Sequence, residues 1–385
     1  MIYALNSFIK DVALSVQLAR ISRVYESKVA CVPANWDRRN LIKMLHDRMR
    51  GAGVQQVRWP AAPMHIYCVG TYYDHEATGF LQSLARFGQL SLYYNMQGEY
   101  GLNPPIGVSA YRARESNSRH LVEHIRALNA ERRVDCVIGT MTAQQLSVHA
   151  LQSVRKMGIP VINMAMDDRL PVHWSTQDNV RMGFIGLVEG VDLTLQTTEE
   201  YVPRYLSEGC PAIYWPFGSD PELFKPSGDK DLDVVFVGNN YGKRGKLVDA
   251  VRAAGIRIEC FGNGFQNGHI AGNEVPKLFA RAKIVLGTGF VGHSSKIVTL
   301  KLRDFDGPMS GSLYLTSYNP DLQKHYEIGK EIAVYKTINE CVEKLRYYLA
   351  NDAERKTIGA AGRARAVREH TWDQRLASAV DLLHF

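Results

Sequence analysis

The sequence predicts an α/β protein of two domains, each built on a parallel sheet with helices on both faces. The chain has 385 residues, which is more than one ordinary hydrophobic core serves. From residue 64 onward, short runs that are apolar on both faces alternate with helical stretches, as in parallel sheets. Residues 218–231 are rich in Gly, Pro and charge, and they are the best candidate for a linker between two such series.

The apolar pattern gives a strand list for each domain. For the first domain we predict strands at 65–70, 90–94, 134–139, 160–166, 191–197 and 212–216, and a helix at 118–132 among others. For the second we predict strands at 233–237, 257–261, 283–287, 312–316 and 332–335. We expect four segments: helices packed on the first domain (1–60), the first domain (61–218), the second domain (219–370), and a C-terminal helix that returns to the first domain (371–385).

Composition is that of a soluble globular protein, with 45% hydrophobic and 22% charged residues. No run approaches 18 uninterrupted apolar residues, so we expect no membrane span. The N-terminal apolar run contains charges and lacks a small-residue cleavage site, which disfavours a signal peptide. Six cysteines without C-x-x-C spacing indicate reduced thiols in a cytoplasmic protein.

The net charge of +7 favours anionic partners such as nucleotides or phospholipid surfaces. A surface that is simply basic explains the charge equally well. The sequence shows no paired zinc ligands, RNA-binding signature or Lys/Arg block, so we expect no nucleic-acid partner.

The most informative stretch runs from 296 to 335. We predict a helix that ends at Asp306, a tight turn over 307–311, and a buried strand at 312–316. A polar loop with a short helix follows and leads to the strand at 332–335. Open α/β sheets bind ligands at the carboxyl ends of their strands, so this stretch belongs to a candidate binding site.

The same stretch resembles the donor-sugar half of the GT-B glycosyltransferases. It is most similar to the group that contains the spore-maturation protein CgeB. The residues that carry the resemblance are Arg303, Phe305-Asp306, Ser310-Gly311, Asn319-Pro320 and Gly329-Lys330-Glu331-Ile332. The resemblance implies two facing Rossmann-like domains and a Leloir-type transferase. It also implies that Asp306 stands where the wider family usually has the Glu that binds the nucleotide ribose.

Three loops are candidates for donor binding. Each follows a predicted strand, where backbone N–H groups, hydroxyls and basic side chains can meet phosphate or sugar. The resemblance assigns the loop after 237 to the donor phosphates, together with Arg303, and the loop after 261 to the base. A plain turn with a solvated basic pair, turn glycines, or a Ser N-cap explains each loop alone. The candidates are Gly238, Asn239, Asn240, Lys243, Arg244, Gly262, Asn263, Gly264, His293, Ser294 and Lys296.

Two polar clusters in the first domain are candidates for catalysis. Asp74, His75 and Glu76 follow the first predicted strand, and one of them could serve as general base for an acceptor hydroxyl. Asp74 could instead cap a helix, and His75 could be a surface residue. Asp167 and Asp168 also follow a strand, where resembling retaining enzymes carry a polar pair that touches the donor sugar. A solvated loop is the alternative for this second pair.

We therefore expect a cytoplasmic glycosyltransferase, with polysaccharide biosynthesis as its setting and the inner face of an anionic membrane as a further place of contact. The donor is expected to be a UDP- or GDP-sugar and the acceptor a glycan or a lipid-linked molecule, with no cofactor and no essential metal. The D-x-D patterns at 231–233 and 304–306 are weak signals for a metal. A nucleotide-sugar 2-epimerase and a non-catalytic nucleotide-sugar-binding protein are the alternatives.

Overall fold

The computed structural model describes residues 2–33, 36–104, 107–177, 179–291, 294 and 297–384, and side chains from residue 11 onward. Contacts within the chain divide it into two compact units. The first unit contains Val16–Tyr73, Ser83–Pro216 and Leu376–Phe385. The second unit contains Met1–Ser15, Asp74–Gln82 and Phe217–Arg375.

The first unit is built on a parallel sheet that contains six strands among the described residues, in the order β2-β1-β3-β4-β7-β8. Its strands are β1 (Met64–Val69), β2 (Gly88–Leu92), β3 (Cys136–Gly139), β4 (Val161–Ala165), β7 (Leu193–Gln196) and β8 (Ala212–Tyr214), beside an antiparallel pair of β5 (Thr176–Gln177) and β6 (Val180–Arg181). Every residue of β1, β3, β4 and β7 is buried. This burial explains why β3 is apolar on both faces, whereas β1, β4 and β7 also bury polar residues, among them His65, Asn163 and Gln196.

Helices alternate with these strands along the chain, and residues 2–15 and 74–82 among them belong to the second unit by their contacts. The helices are α1 (Ile2–Ala30), α2 (Arg38–Gly51), α3 (Tyr73–Glu76), α4 (Phe80–Arg86), α5 (Ala110–Glu131), α6 (Val148–Arg155) and α7 (Val202–Ser207), with 3-10 turns at Pro171–Trp174, Phe184–Gly190 and Glu199–Tyr201. Helix α5 begins eight residues before the predicted start. Ser109 caps it by accepting a hydrogen bond from the Arg112 N–H at 3.4 Å. The first turns of α5 are polar, so the spacing of apolar residues did not indicate that the helix begins there.

The second unit contains a parallel sheet of five strands among the described residues, in the order β10-β9-β11-β12-β13. The strands are β9 (Leu232–Val237), β10 (Ile258–Phe261), β11 (Ala282–Leu286), β12 (Leu313–Ser317) and β13 (Ala333–Tyr335). The helices are α8 (Arg244–Ala253), α9 (Val275–Arg281), α10 (Arg303–Met309), α11 (Ile338–Ala350), α12 (Asp352–Glu369) and α13 (Trp372–Val380), with 3-10 turns at Gly272–Glu274 and Pro320–Lys324. The last part of α13 and a 3-10 turn at Asp381–Leu383 belong to the first unit. Strands β9 to β13 pack with α8, α11 and α12 into one hydrophobic core.

The chain after Leu376 belongs to the first unit. There His46 Nε2 lies 2.9 Å from the carbonyl oxygen of Leu382. Helix α13 thus begins in the second unit and continues in the first.

The predicted end of α10 is wrong. The helix continues to Met309, and the turn comes at Gly311, whose φ of 73° is one that glycine adopts readily. Gly307 is helical, and a Cβ placed on it would lie 2.4 Å from Cδ2 of the Tyr314 ring. Glycine is therefore present at 307 because α10 packs closely on β12.

Among the described residues, none of the helices combines the length and the apolar character that a membrane crossing requires.

Candidate functional site

Strand order reverses between β9 and β11 in the second unit. The chain passes from β9 outward to β10 and then returns to the other side of β9 to form β11. At such a reversal the loops that leave the two strands diverge, and a crevice opens at their carboxyl ends. The loops that begin at Gly238 and Gly287 leave β9 and β11 there.

Arg303, the first residue of α10, lies at the carboxyl end of β9. Its Nη1 donates to the Val237 carbonyl at 2.5 Å, and its guanidinium carbon lies 5.1 Å from the centroid of the Phe236 ring. Its Nε is buried and has no hydrogen-bond partner among the described residues. The side chain is thus held in place from two sides while part of its donor capacity is unused.

Arg244, the first residue of α8, lies beside Arg303. It is 7% exposed, and its Nη1 donates to the Asn239 carbonyl at 3.0 Å. Its guanidinium carbon lies 4.1 Å from the centroid of the Tyr241 ring. A Cβ placed on Gly238 would lie 2.7 Å from Nη1 of Arg303 and 3.2 Å from Nη1 of Arg244. Both guanidinium groups therefore converge on Gly238, and like charges this close favour an anionic ligand between them.

Asn239 and Asn240 connect the loop after β9 to the loop after β10. The Asn263 N–H donates to Asn239 Oδ1 at 3.0 Å, and Asn240 Nδ2 donates to the Gly264 carbonyl at 3.1 Å. Gly262 packs directly on Gly238, because a Cβ there would lie 2.4 Å from the Gly238 carbonyl oxygen. In the structure these predicted donor-binding residues hold the two loops together.

Lys243 precedes α8 and lies with its ammonium 5.9 Å from the centroid of the Phe290 ring. Burial lowers the pKa of Lys243, with Asp11 opposing and Lys246 adding to the shift. Ser294 is buried, and its Oγ accepts from the Ile297 N–H at 2.9 Å in a turn, since residues 297–302 are not helical. His293 and Lys296 lie outside the described residues.

Asp306 is buried in α10 and accepts a hydrogen bond from Ser219 Oγ at 2.6 Å. Burial raises the pKa of Asp306 well above its ordinary value, although Ser219 and Arg303 both act to lower it. Ser219 therefore already occupies one oxygen of the carboxyl group that the resemblance assigns to the ribose.

The carboxylates of the two D-x-D patterns bind protein groups. Asp304 accepts from Tyr314 Oη at 2.6 Å and from the Lys301 N–H at 2.6 Å. Asp231 pairs with Arg281 at 2.5 Å, and Asp233 pairs with Lys283 at 2.6 Å and with Arg257 at 2.7 Å. Among the described residues, no group of three or more His, Cys, Asp or Glu side chains is placed to hold a metal ion.

Asp74, His75 and Glu76 form most of the short helix α3 and belong to the second unit by their contacts. Asp74 accepts from the Gly272 N–H at 3.0 Å, and its other oxygen lies 2.9 Å from His269 Nε2. His75 is exposed, whereas Glu76 is 6% exposed. Asp74 and His269 thus form the arrangement in which a carboxylate orients an imidazole.

Asp168 lies after β4 and is 1% exposed. Its Oδ2 accepts from Tyr205 Oη and from Gln196 Nε2, both at 2.6 Å. Burial raises the pKa of Asp168 to about 7, against the effect of these hydrogen bonds. Asp167 is partly exposed and has a φ of 56°, which is uncommon for a residue other than glycine. Of this pair, Asp167 is the one that solvent reaches.

Sequence reasoning missed four residues that shape these sites. Phe236 and Tyr241 face the guanidinium groups, Ser219 holds Asp306, and His269 pairs with Asp74. Phe236 looked like an ordinary core residue of a strand, and Ser219 lies in the predicted linker. Tyr241 could have been identified from the sequence, because it lies inside the predicted phosphate loop.

Two Rossmann-like units with parallel sheets and a C-terminal helix shared between them define the GT-B fold, and solved structures support this class. Sucrose-phosphate synthase from Thermosynechococcus elongatus superposes with a TM-score of 0.57 at 13% identity, covering 83% of this chain and 98% of that one. HepE from Anabaena in complex with UDP and glucose gives 0.55 at 12% identity, covering 83% of this chain and 100% of that one. The predicted fold class is confirmed.

Residues 243–381 match a family model described as "Glycosyl transferase-like". None of the curated proteins compared with this chain matches it. The matched segment begins at Lys243 and includes Arg244, Arg303 and Asp306. The CgeB-like group is a finer assignment, and it stays a prediction.

Proposed function

We propose that this protein is a glycosyltransferase that moves a sugar from a nucleoside diphosphate sugar to an acceptor hydroxyl. The observation that carries the proposal is the convergence of Arg303 and Arg244 on Gly238, at the strand-order reversal of a Rossmann-like unit. The match of residues 243–381 to a glycosyl transferase-like family supports it.

The chemistry places the greatest demand on the leaving group. The bond between the anomeric carbon and the β-phosphate oxygen breaks, a bond from that carbon to the acceptor oxygen forms, and the acceptor hydroxyl loses its proton. Negative charge develops on the departing diphosphate. Fixed guanidinium groups at Gly238 would stabilise that charge without rearranging, and such electrostatic stabilisation is usually the main source of rate enhancement in a site of this kind.

Other residues would bind the rest of the donor and activate the acceptor. Lys243, with the loop after β9, would approach the diphosphate, and the loop after β10 at Gly262 would contact the base. Asp306, oriented by Ser219, would accept a ribose hydroxyl. Asp74 is the best placed candidate base of its cluster, because it is partly exposed and paired with His269. Of the second pair, Asp167 would contact the donor sugar, since Tyr205 and Gln196 occupy Asp168.

A UDP-sugar is the donor we propose first, and a GDP-sugar second. HepE has been solved with UDP-glucose, and that structure has a TM-score of 0.54 with this chain at 12% identity. The proposed acceptor is a glycan or a lipid-linked molecule, reached from the cytoplasm, with contact to an anionic membrane as a further expectation from the net charge of +7.

The proposal is tested with a panel of UDP-, GDP-, ADP- and dTDP-sugars. We expect one donor to release its nucleoside diphosphate slowly to water and faster with an acceptor, with activity unchanged by a chelator because arginines carry the charge. Binding without any turnover would favour a nucleotide-sugar-binding protein. Conversion of the donor to its 2-epimer would favour the epimerase.

A further inference from the structure

An exposed group of tyrosines lies at the carboxyl ends of β1 and β2 in the first unit. Tyr100 lies 5.3 Å from Tyr73 and 5.9 Å from Tyr94, measured between ring centroids, with interplanar angles of 78° and 79°. Tyr73 is 51% exposed and Tyr94 is 43% exposed. We call Tyr73, Tyr94 and Tyr100 the tyrosine cluster. Because Tyr73 and Tyr94 are exposed, a ligand can reach part of each of these rings.

Two further exposed side chains flank the tyrosine cluster in the chain. Tyr72 is 65% exposed and Met96 is 67% exposed. Met96 is anchored on α5, where its Sδ accepts a hydrogen bond from Ser116 Oγ at 3.1 Å. Exposed large side chains concentrated in two adjoining chain segments are typical of binding surfaces.

The loop that carries Tyr94 and Tyr100 is held in one shape. Asn95 is buried, and its Oδ1 accepts from the N–H groups of Gln97 and Glu99, both at 3.0 Å. The Asn95 N–H donates to the Glu99 carbonyl at 2.7 Å, and Tyr94 and Tyr100 form a β-bridge. A ligand that meets the cluster would therefore lose little affinity to ordering of the loop.

Gly101 brings this loop onto the end of β1. Its φ is +89°, and a Cβ placed on it would lie 2.9 Å from the carbonyl oxygens of both Gly70 and Thr71. Asn103 Nδ2 also donates to the Thr71 carbonyl at 2.9 Å. The segment that ends in Tyr72 and Tyr73 and the loop that carries the other two tyrosines are thus joined through backbone contacts.

The loop that carries Tyr94 and Tyr100 has little charge. Residues 93–104 contain one charged side chain, Glu99, and no Lys or Arg, although the whole chain has a net charge of +7. An anionic membrane or a nucleic acid would require basic residues here. Apart from Glu99, the polar side chains of this loop are tyrosines and amides. Aromatic faces with such groups at their rims suit a pyranose ring, which presents C–H groups on its face and hydroxyls at its edge.

We propose that the tyrosine cluster binds a neutral saccharide, and that the acceptor of the reaction is therefore a glycan of uncharged sugars. The acceptor role rests on the proposed function, whereas binding of the saccharide does not. Tyr73 directly precedes Asp74, the candidate base, in the sequence.

The test is a titration of the full chain, without donor, using cellopentaose, maltopentaose and chitopentaose at millimolar concentrations. We expect saturable binding of at least one of them by calorimetry. The variants are Tyr94→Leu, which keeps an apolar side chain without a ring face, and Tyr94→Phe, which keeps the face. Tyr94→Leu should weaken binding about tenfold and Tyr94→Phe about twofold or less. Tyr347→Leu, at a tyrosine that is 50% exposed on α11, is the matched control and should bind as the unaltered protein does.

Equal affinity of Tyr94→Leu and the unaltered protein would overturn the proposal, as would no saturable binding of any of the three saccharides. A second experiment, sedimentation with phosphatidylserine vesicles, tests whether the cluster binds a lipid surface instead. Vesicle binding that Tyr94→Leu abolishes, without saccharide binding, would assign the cluster to a lipid surface and overturn the proposal. Failure of the donor panel with saccharide binding intact would refute the transferase and leave the saccharide site standing.

Discussion

At the scale of single residues, the second unit concentrates positive charge where one strand ends. Arg303 and Arg244 reach Gly238 from the first residues of two different helices, and each also donates to a carbonyl of the β9 strand or its loop. The guanidinium of Arg303 lies over the Phe236 ring, and that of Arg244 lies over the Tyr241 ring. This packing limits the number of positions that each guanidinium can adopt.

Asp74 is the proposed general base, and its replacement tests that role directly. If its carboxylate assists the loss of the acceptor proton, Asp74→Asn should lower kcat by about 10²–10⁴-fold while the dissociation constant of the donor is unchanged. His75→Gln and Glu76→Gln serve as matched controls from the same helix. A rate near that of the unaltered protein would remove Asp74 from the chemistry and direct attention to Asp167.

Asp168 provides a prediction about pH. Its pKa is about 7 in the folded protein and 3.8 in the reference state, so folding is disfavoured increasingly as pH rises from 3.8 to about 7. Asp168→Asn lacks this dependence. We expect the variant to gain about 1–3 kcal/mol relative to the unaltered protein between pH 4 and pH 8 in urea unfolding. Asp47→Asn, at an exposed residue, should give no such gain.

At the scale of elements, α10 connects the candidate site to the core. It places Arg303 at its start and buries Asp306 in its middle, and it packs on β12 through Gly307. The pattern of apolar residues predicted the strands on either side. It did not predict the end of α10, because the reason for Gly307 is the Tyr314 ring, which is a tertiary contact.

The packing of α10 can be tested directly. Gly307→Ala places a methyl group against Tyr314 and should destabilise the protein by about 1–3 kcal/mol through overpacking. Gly228→Ala is the control, since a Cβ at Gly228 would have no atom of the described residues within 4 Å. Urea unfolding of both variants is the measurement. Equal stability of the two would show that α10 moves away from β12 without cost.

At the scale of the whole molecule, the sequence predicted the class of fold and most strands, because those depend on local pattern. The pairings that define the site are distant in sequence. Ser219 with Asp306 and Asp74 with His269 join positions that no spacing rule connects. The residue types at the strand ends indicated which loops form the candidate site. The direction in which each side chain points depends on tertiary contacts and is known only from the structure.

Two buried histidines make stability depend on pH in the opposite direction from Asp168. Burial lowers the pKa of His370 to about 4 and that of His325 to about 3, from 6.5. Stability is therefore fully present above pH 6.5 and is lost as pH falls toward 4. We expect His370→Gln to reduce the loss between pH 7 and pH 5 by about 1–2 kcal/mol in urea unfolding. His149→Gln, at an exposed histidine, should leave the loss unchanged.

The central claim is that Arg303 and Arg244 bind the diphosphate of a nucleotide. It is tested most directly by calorimetric titration of Arg303→Ala with UDP and with uridine, beside Arg252→Ala, which alters an exposed arginine of α8. We predict that Arg303→Ala weakens UDP binding by about 1.5–3 kcal/mol and uridine binding little, as expected for hydrogen bonds to a charged group. Arg252→Ala should bind both ligands normally. Equal losses for UDP and uridine, or none for either, would contradict the claim.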